Sequence, residues 1–533
     1  MQDSLNMIFK CKNRKVHGRF VVKVLLMLAV ALTTACSQSN STIEKKPVAK
    51  QLPNIVILYA DDLGAGDLGS FSSRSKIPTP NLDKLASQGL SFTDAHSSSG
   101  ICSPSRYALL TGQYHWRKFH DIVKAFGDSV FEAEQLTLPE MLQQKGYTTA
   151  AIGKWHLGWD WDSIRKQDAP SGEVGPNDFD WNKAIENGPP AHGFDYYFGD
   201  NVINFPPYVW IENDRVTQIP DTMVDGTLWK NKEGTMRYRE GPMVTGWNPY
   251  ENIPTTTQKG IDFITQKSKQ EQPFFLYFAY PSPHAPIIPN DEFDNTSKAG
   301  PYGDLIVETD DSIGKLLAAI DQAGIADNTI IIFSSDNGPE NYAYLRDQKF
   351  DHWSSYPFRG LKRDTYEGGH RVPMIVRWPN HVQANSQTDE LVSQIDLMAT
   401  IAEIIEFKLP NDAAHDSFNL LELWTGESSN SPRRAMVHNT TAGKFAIRSD
   451  DWTLIDAPSG NQNGNLTRFN YADWQNRHGY QTDDNQKGQL FDMKNDREQR
   501  FNLIEKHPEK ARQMRQLLEQ IKSQGWSAPR LNK

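Results

Sequence analysis

Two pairs of oxygen-bearing side chains each close a short apolar run of this 533-residue chain: Asp61-Asp62 in NIVILYADDLG and Asp336-Asn337 in NTIIIFSSDNGPE. Carboxylate and amide oxygens of this kind suit a hard cation, Ca2+ or Mg2+. No His-Glu-x-x-His stretch and no Cys/His grouping with zinc spacing occurs, so zinc is not expected. Lys154 and His156 (YTTAAIGKWHLG) and His284 (PFFLYFAYPSPHAP) close two further runs and, with Arg106, add cations and proton carriers. Oxygen ligands around a cation, ringed by basic groups, describe a site for a tetrahedral anion.

The stretch SSSGICSPSRYALLTG adds a thiol, Cys102, to this set. Ser103 can cap a helix, Pro104 suits its first turn and Gly112 its end, so a helix is predicted to start just after Cys102. Free backbone N–H groups at that start favour an anion, and the Arg106 guanidinium, one turn on, can reach the same anion. By itself a cysteine at a helix start is more often structural than catalytic.

The four runs, residues 54–64, 147–158, 273–286 and 328–340, read as strands covered on both faces. Between them PNLDKLASQG, TLPEMLQQKG and DLIVETDDSIGKLLAAIDQAG carry apolar residues at helical spacing and end near Gly. Strands alternating with helices predict an α/β fold, a large mixed and mostly parallel sheet sandwiched by helices. Such folds bind ligands beyond the carboxyl ends of their strands, where all four polar clusters fall. After the helix DLMATIAEIIEF the pattern changes: KFAIRSDDWTLID and GQLFDMKNDREQRFNL read as strands and a turn, and PEKARQMRQLLEQIKSQ as an amphipathic helix. The expected division is a catalytic domain at 53–425 and a smaller C-terminal α+β subdomain at 426–533.

Before residue 53 the chain reads as an address rather than as fold. A basic segment and the apolar run FVVKVLLMLAVAL, interrupted by Lys23, suit a signal peptide over residues 1–35. Ala35-Cys36 resembles a bacterial lipobox, with Cys36 lipidated and residues 36–52 as a flexible tether; an ordinary signal with an incidental cysteine is the alternative. The expected location is therefore the periplasm of a bacterium, or its outer membrane through that lipid, with no other membrane contact. With Cys11 and Cys36 in the export segment, Cys102 has no disulfide partner in the mature chain. A net charge of −10 argues against nucleic acid as a partner.

Together these residues resemble the formylglycine-dependent sulfatases of the alkaline phosphatase superfamily. CSPSRYALLTG matches that family's Cys-x-Pro-x-Arg signature, and YADDLG, GKWHLG, SSDNG and FRGLKRDTYEGGHRVP match its other blocks in order. The resemblance implies that a maturation enzyme oxidises Cys102 to formylglycine, and that its hydrate attacks the sulfur of a sulfate monoester. It implies one Ca2+, Mg2+ being the less favoured choice, held by Asp61, Asp62, Asp336, Asn337 and the modified residue 102. Arg106 would help hold the attacking oxygen, Lys154 and Lys362 would clamp the sulfate, and His284 would protonate the leaving alcohol. His156 would take the proton of the second hydroxyl, expelling sulfate and restoring the aldehyde. The implied partner is a sulfated polysaccharide or oligosaccharide, of the algal galactan or glycosaminoglycan type.

Trp155 reads as core, whereas Trp159 and Trp161 read as a surface on which a sugar could stack. His352 reads either as part of the pocket rim or as loop packing, and His96, His115 and Arg117 as neighbours of the signature that could touch substrate. The rival readings are a phosphate or phosphonate ester hydrolase of the same superfamily and, more remotely, a non-catalytic glycan-binding lipoprotein. Cys102→Ala is expected to abolish turnover while the protein still folds, and mass spectrometry to find an aldehyde at residue 102. Near-normal activity, or a plain thiol in active protein, would overturn this expectation.

Overall fold

The strand Asn54–Asp61 is buried along its whole length, and its side chains alternate between two apolar cores. Ile55, Ile57 and Tyr59 face one core; Val56, Leu58 and Ala60 face the other. The same alternation in Phe274–Pro283 and Thr329–Ser335 makes these three strands the centre of the sheet, parallel to one another. Each large apolar side chain so buried contributes about 1.5–3 kcal/mol, which is why unbroken apolar runs end up here.

The computed structural model describes residues 51–170, 174–226, 229–234, 238–463, 471–480 and 487–529. The signal peptide and tether, with Cys11 and Cys36, lie outside the described residues. The described residues from Leu52 onward form one compact unit. Its ten-stranded sheet runs, edge to edge, Ser386–Thr388, Leu90–Phe92, Met374–Arg377, Thr329–Ser335, Asn54–Asp61, Phe274–Pro283, Thr148–Lys154, Tyr196–Asn201, Ile211–Glu212 and Arg215–Val216. The five-strand run from Thr329–Ser335 to Tyr196–Asn201 is parallel, and Met374–Arg377 joins it antiparallel.

Helices cover both faces, as expected. Pro80–Ser87, Asn252–Lys267 and Pro301–Gln322 pack on one core, and Cys102–Thr111, Leu138–Gln144 and Leu397–Ile404 on the other. Asn252–Lys267 and the strands Tyr196–Asn201 and Met374–Arg377 were not anticipated. The helix carries threonines and Gly260 that score poorly for helix, yet Ile253, Thr257, Gly260 and Ile264 make a buried stripe. Gly260 is required there, because a Cβ would come within 2.8 Å of Leu316 and Phe278 side-chain carbons.

A second sheet is antiparallel, in the order Ala435–Asn439, Phe445–Ser449, Trp452–Ile455 and Gln489–Asp492. The helix Pro508–Gln524 lays Ala511, Met514, Leu518 and Ile521 on it, in one cluster with Tyr114 and Trp116. Because those two aromatics follow the signature helix directly, this sheet is packed against the segment that carries Cys102.

Candidate active site

The strands that lead to Asp61 and Lys154 become irregular at their carboxyl ends. Pairing of Asn54–Asp61 with its neighbour shifts register between Tyr59 and Asp61, and Thr148–Lys154 does the same between Ile152 and Lys154. Asp62 (φ 68°) and His156 (φ 57°) adopt left-handed backbone conformations that non-glycine residues seldom take. The chain thus leaves the ladder within one or two residues and turns polar side chains into a single buried volume.

There Asp61, Asp62, Cys102 and Asp336 bring ligand atoms within 4.8 Å of one another. Arg106 donates from Nε (3.0 Å) and its second terminal nitrogen (2.8 Å) to Asp336 Oδ2. Lys154 is paired with Asp61, and Lys362 Nζ lies 2.5 Å from Asp62 Oδ1 and 3.3 Å from Cys102 Sγ. The Cys102 Sγ is 3.6 Å from Asp61 Oδ1. Three carboxylates are therefore matched by three cations, all of them buried.

Two acceptors are left over. Asp62 Oδ2 and Asn337 Oδ1 are buried without a hydrogen-bond partner, although Asn337 Nδ2 donates to Asp62 Oδ1 at 2.6 Å. Orphaned oxygens beside three carboxylates fit a hard, oxygen-seeking cation and suit neither a thiophilic nor a hydrophobic group. The carboxylates are shifted apart. Burial raises Asp336 to about 7, Asp61 adding to it, and raises Asp62 to about 6 against the pull of Lys362. For Asp61 burial is overcome by Lys154, His284, Arg106 and Lys362, which hold it well below the usual carboxylate range.

The histidines keep one nitrogen free. His156 donates from Nε2 to the Val123 carbonyl (3.0 Å), leaving Nδ1 buried without a partner. His284 donates from Nδ1 to the Ala285 carbonyl (2.6 Å), and its Nε2 stands 3.9 Å from Asp62 Oδ2. Burial and then Lys362 hold His284 at about 3; burial, Lys154 and Arg106 push His156 well down. Burial also pushes the Cys102 thiol up, so the unmodified side chain is protonated here.

Lys362 arrives from a separate segment. Backbone bonds from Lys362 N to Pro339 O (2.9 Å) and Arg363 N to Gly100 O (2.7 Å) fix that segment to both the Asn337 turn and the signature loop. Gly338 allows the approach, since a Cβ there would meet the Gly368 carbonyl oxygen at 1.9 Å. Arg363 pairs through both terminal nitrogens with Glu340, which sequence reading did not single out because neither belongs to a strand end.

A scan of family models matches residues 53–406 to one described as Sulfatase and residues 360–460 to one described as N-sulphoglucosamine sulphohydrolase, C-terminal. The chain belongs to the sulfatase family. It is 32% identical to an N-acetylgalactosamine-6-O-sulfatase of Bacteroides thetaiotaomicron, over 93% of this chain and 98% of that one. An N-acetylgalactosamine-6-sulfatase of Mus musculus is 34% identical, over 76% of this chain and 73% of the other. A solved chain from the metabolism of multiple glycosaminoglycans by Bacteroides thetaiotaomicron superposes with a TM-score of 0.73 at 30% identity, covering 89% of this chain and all (100%) of that one. As a sulfatase, the protein is a sulfuric ester hydrolase acting on sulfate monoesters, with the fold expected from its sequence.

Several lesser expectations are corrected. In this sulfatase Trp159 (0% exposed) and Trp161 (3%) are core residues like Trp155, packed against Tyr197 and Phe179, and offer no face to a sugar. His352 is buried with Nε2 2.9 Å from Asp67 Oδ1 and Nδ1 3.4 Å from the Lys76 N–H, so it braces a loop instead of lining a rim. Arg117 is paired with Asp416, and His115 is buried beside Ser98. Ser103 does not cap the signature helix: the helix begins at Cys102, and the Ser103 hydroxyl accepts from Val123 N at 3.1 Å. That bond ties down the loop whose carbonyl orients His156.

Lys362→Ala removes the lysine that lies beside both Cys102 and Asp62. We expect a fall in kcat/KM of about 10²–10³-fold, as for loss of one charge-stabilising donor, together with a lower melting temperature because Asp62 stays buried without its partner. Kinetics and thermal melts of the purified variant check this, and wild-type kcat/KM would refute it.

Proposed function

We propose that the chain removes 6-O-sulfate from N-acetylgalactosamine-type residues of sulfated glycosaminoglycan fragments, with residue 102, as formylglycine, bearing the nucleophile. The observation that carries this reading is the seat of Cys102. It occupies the first position of a helix, buried, with Lys362 Nζ at 3.3 Å, Asp61 Oδ1 at 3.6 Å and unpartnered oxygens close by. The choice of sugar is supported by the named activity of relatives matched over most of this chain.

The donors Asp61, Asp62, Asp336 and Asn337, with residue 102, suit Ca2+, which the family generally uses. Bound there it supplies positive charge that favours an ionised oxygen on residue 102. Lys154, Lys362 and Arg106 neutralise the sulfate oxygens as charge shifts during transfer. His284, its Nδ1–H held by the Ala285 carbonyl, delivers a proton from Nε2 to the departing sugar oxygen; the negative charge of a bound sulfate favours the imidazolium against burial and the Lys362 charge, which otherwise keep the ring neutral. His156, its Nε2 committed to Val123, accepts a proton at Nδ1 from the second hydroxyl of the formylglycine hydrate, which lets sulfate leave.

Disaccharides sulfated at O6 or at O4 of galactosamine, and a phosphate ester of the same alcohol, test the proposal. We expect the O6 sulfate to be released with kcat/KM at least about 100-fold above either alternative, the discrimination available to a site built around polar contacts. Preference for the O4 isomer would refute the sugar assignment, and preference for phosphate would refute the anion assignment.

We also propose export and lipid anchoring through Cys36. The basic and apolar segment before it supports this, and among the described residues no helix is long and apolar enough to cross a membrane. Metabolic labelling with a clickable fatty acid should mark the full chain and fail to mark Cys36→Ser; equal labelling would refute the anchor.

A further inference from the structure

Three histidines from distant parts of the chain meet in the core outside the active site. His96 lies on the short strand Ala95–His96, His370 ends the turn of helix Glu367–His370, and His438 lies on Ala435–Asn439 of the C-terminal sheet. All are buried, and each brings a ring nitrogen within 4.8 Å of the other two.

The outer bonds favour one tautomer of each ring. His96 Nε2 is 2.7 Å from Asp94 Oδ1, a carboxylate kept ionised by Arg371 (2.9 Å) and Arg448 (3.2 Å), so Nε2 carries hydrogen. His370 Nε2 faces another pure acceptor, the Thr365 carbonyl, at 3.4 Å. Both Nδ1 atoms are then left with lone pairs, and they face each other at 3.0 Å. Two lone pairs at that separation need a cation.

A shared proton would satisfy this pair and do nothing for His438. That imidazole is 2% exposed, and neither of its nitrogens has a hydrogen-bond partner. Its ring lies flat on His370 with 3.5 Å between centroids, and 5.5 Å from His96. Its ligand atom lies within 4.8 Å of the other two, and ligation requires the ring to turn out of this stack. An ion that binds imidazole would engage all three rings.

We propose that His96, His370 and His438 bind a divalent transition-metal ion of the zinc class, at a site that shares no residue with the oxygen-lined cation site. Asp94 and Thr365 hold the outer N–H groups of two ligands, the arrangement that orients ligating histidines in metal sites. Glu367 stands nearby, its Oε2 4.0 Å from His96 Nε2 and 2.9 Å from Arg371. The two arginines already balance Asp94 and Glu367, so the nitrogens carry the charge of the ion, as in other three-histidine zinc sites. The ion would join three pieces that matter to catalysis: the strand leading into the signature loop, the segment that carries Lys362, and the C-terminal sheet.

The test uses untagged protein stripped of transition metal and held in excess Ca2+, which occupies the oxygen site. Titration with Co2+ should give the visible bands of nitrogen-ligated, four-coordinate cobalt, saturating at a single equivalent and displaced by Zn2+. The melting temperature should rise with Zn2+. Cys102→Ala should keep the bands, and His438→Gln should lose them. Absence of the bands in the wild-type protein overturns the proposal and assigns the His96–His370 contact to a proton; bands that persist in His438→Gln overturn it as well. Should His438→Gln not fold, X-ray absorption at the zinc edge of the wild-type protein decides, since fewer than three imidazole ligands overturns the proposal.

Discussion

Everything in this molecule answers to one electrostatic constraint: Asp61, Asp62 and Asp336 are buried together with Arg106, Lys154 and Lys362. Removing one ion from water costs several kcal/mol even after relaxation, and the cost is offset only where partners sit at bonding distance. The contacts Arg106–Asp336, Lys154–Asp61 and Lys362–Asp62 meet that condition. They do not exhaust the acceptors, since Asp62 Oδ2 and Asn337 Oδ1 remain unpartnered. A set that is balanced in charge but short of donors is prepared for a cation, and a cation added to it makes the volume attractive to an anion.

The backbone distortions at the strand ends follow from the same demand. A regular strand would send alternate side chains to opposite faces of the sheet. Register shifts beside Asp61 and Lys154, and left-handed residues at Asp62 and His156, let consecutive polar residues enter one volume. The surrounding strands are buried on both faces and absorb the strain. Lys362 needs a further device: its segment is bound through backbone to the Asn337 turn on one side and to Gly100 on the other. Its charge is thereby as firmly placed as the residues on strands.

The central parallel strands and the residues that meet in the candidate site were legible because each is written locally. An unbroken apolar run ending in Asp-Asp or Asp-Asn announces both a buried strand and a polar terminus, and the Cys-x-Pro-x-Arg signature lies within one turn of helix. The helix Asn252–Lys267 was illegible because its threonines and Gly260 are poor helix formers, and the tight approach of Leu316 and Phe278 explains the glycine. Trp159 and Trp161 misled for a related reason: an amphipathic ring next to a polar motif can face either way, and the packing of Tyr197 and Phe179 turned both inward.

The sequence by itself determined the chemistry: which groups bear oxygen, which carry charge, and that a cysteine without a partner stands at a helix start. Tertiary structure alone decided which groups are left unsatisfied, because that depends on partners hundreds of residues away. Asp62 Oδ1 takes Lys362 and the Asn337 amide nitrogen, whereas Asp62 Oδ2 and Asn337 Oδ1 are left without a partner. His96, His370 and His438 have no spacing that would announce a ligand set, and converge only when the C-terminal sheet closes over the signature segment. Valence is local to a residue, whereas its satisfaction is a property of the packed fold.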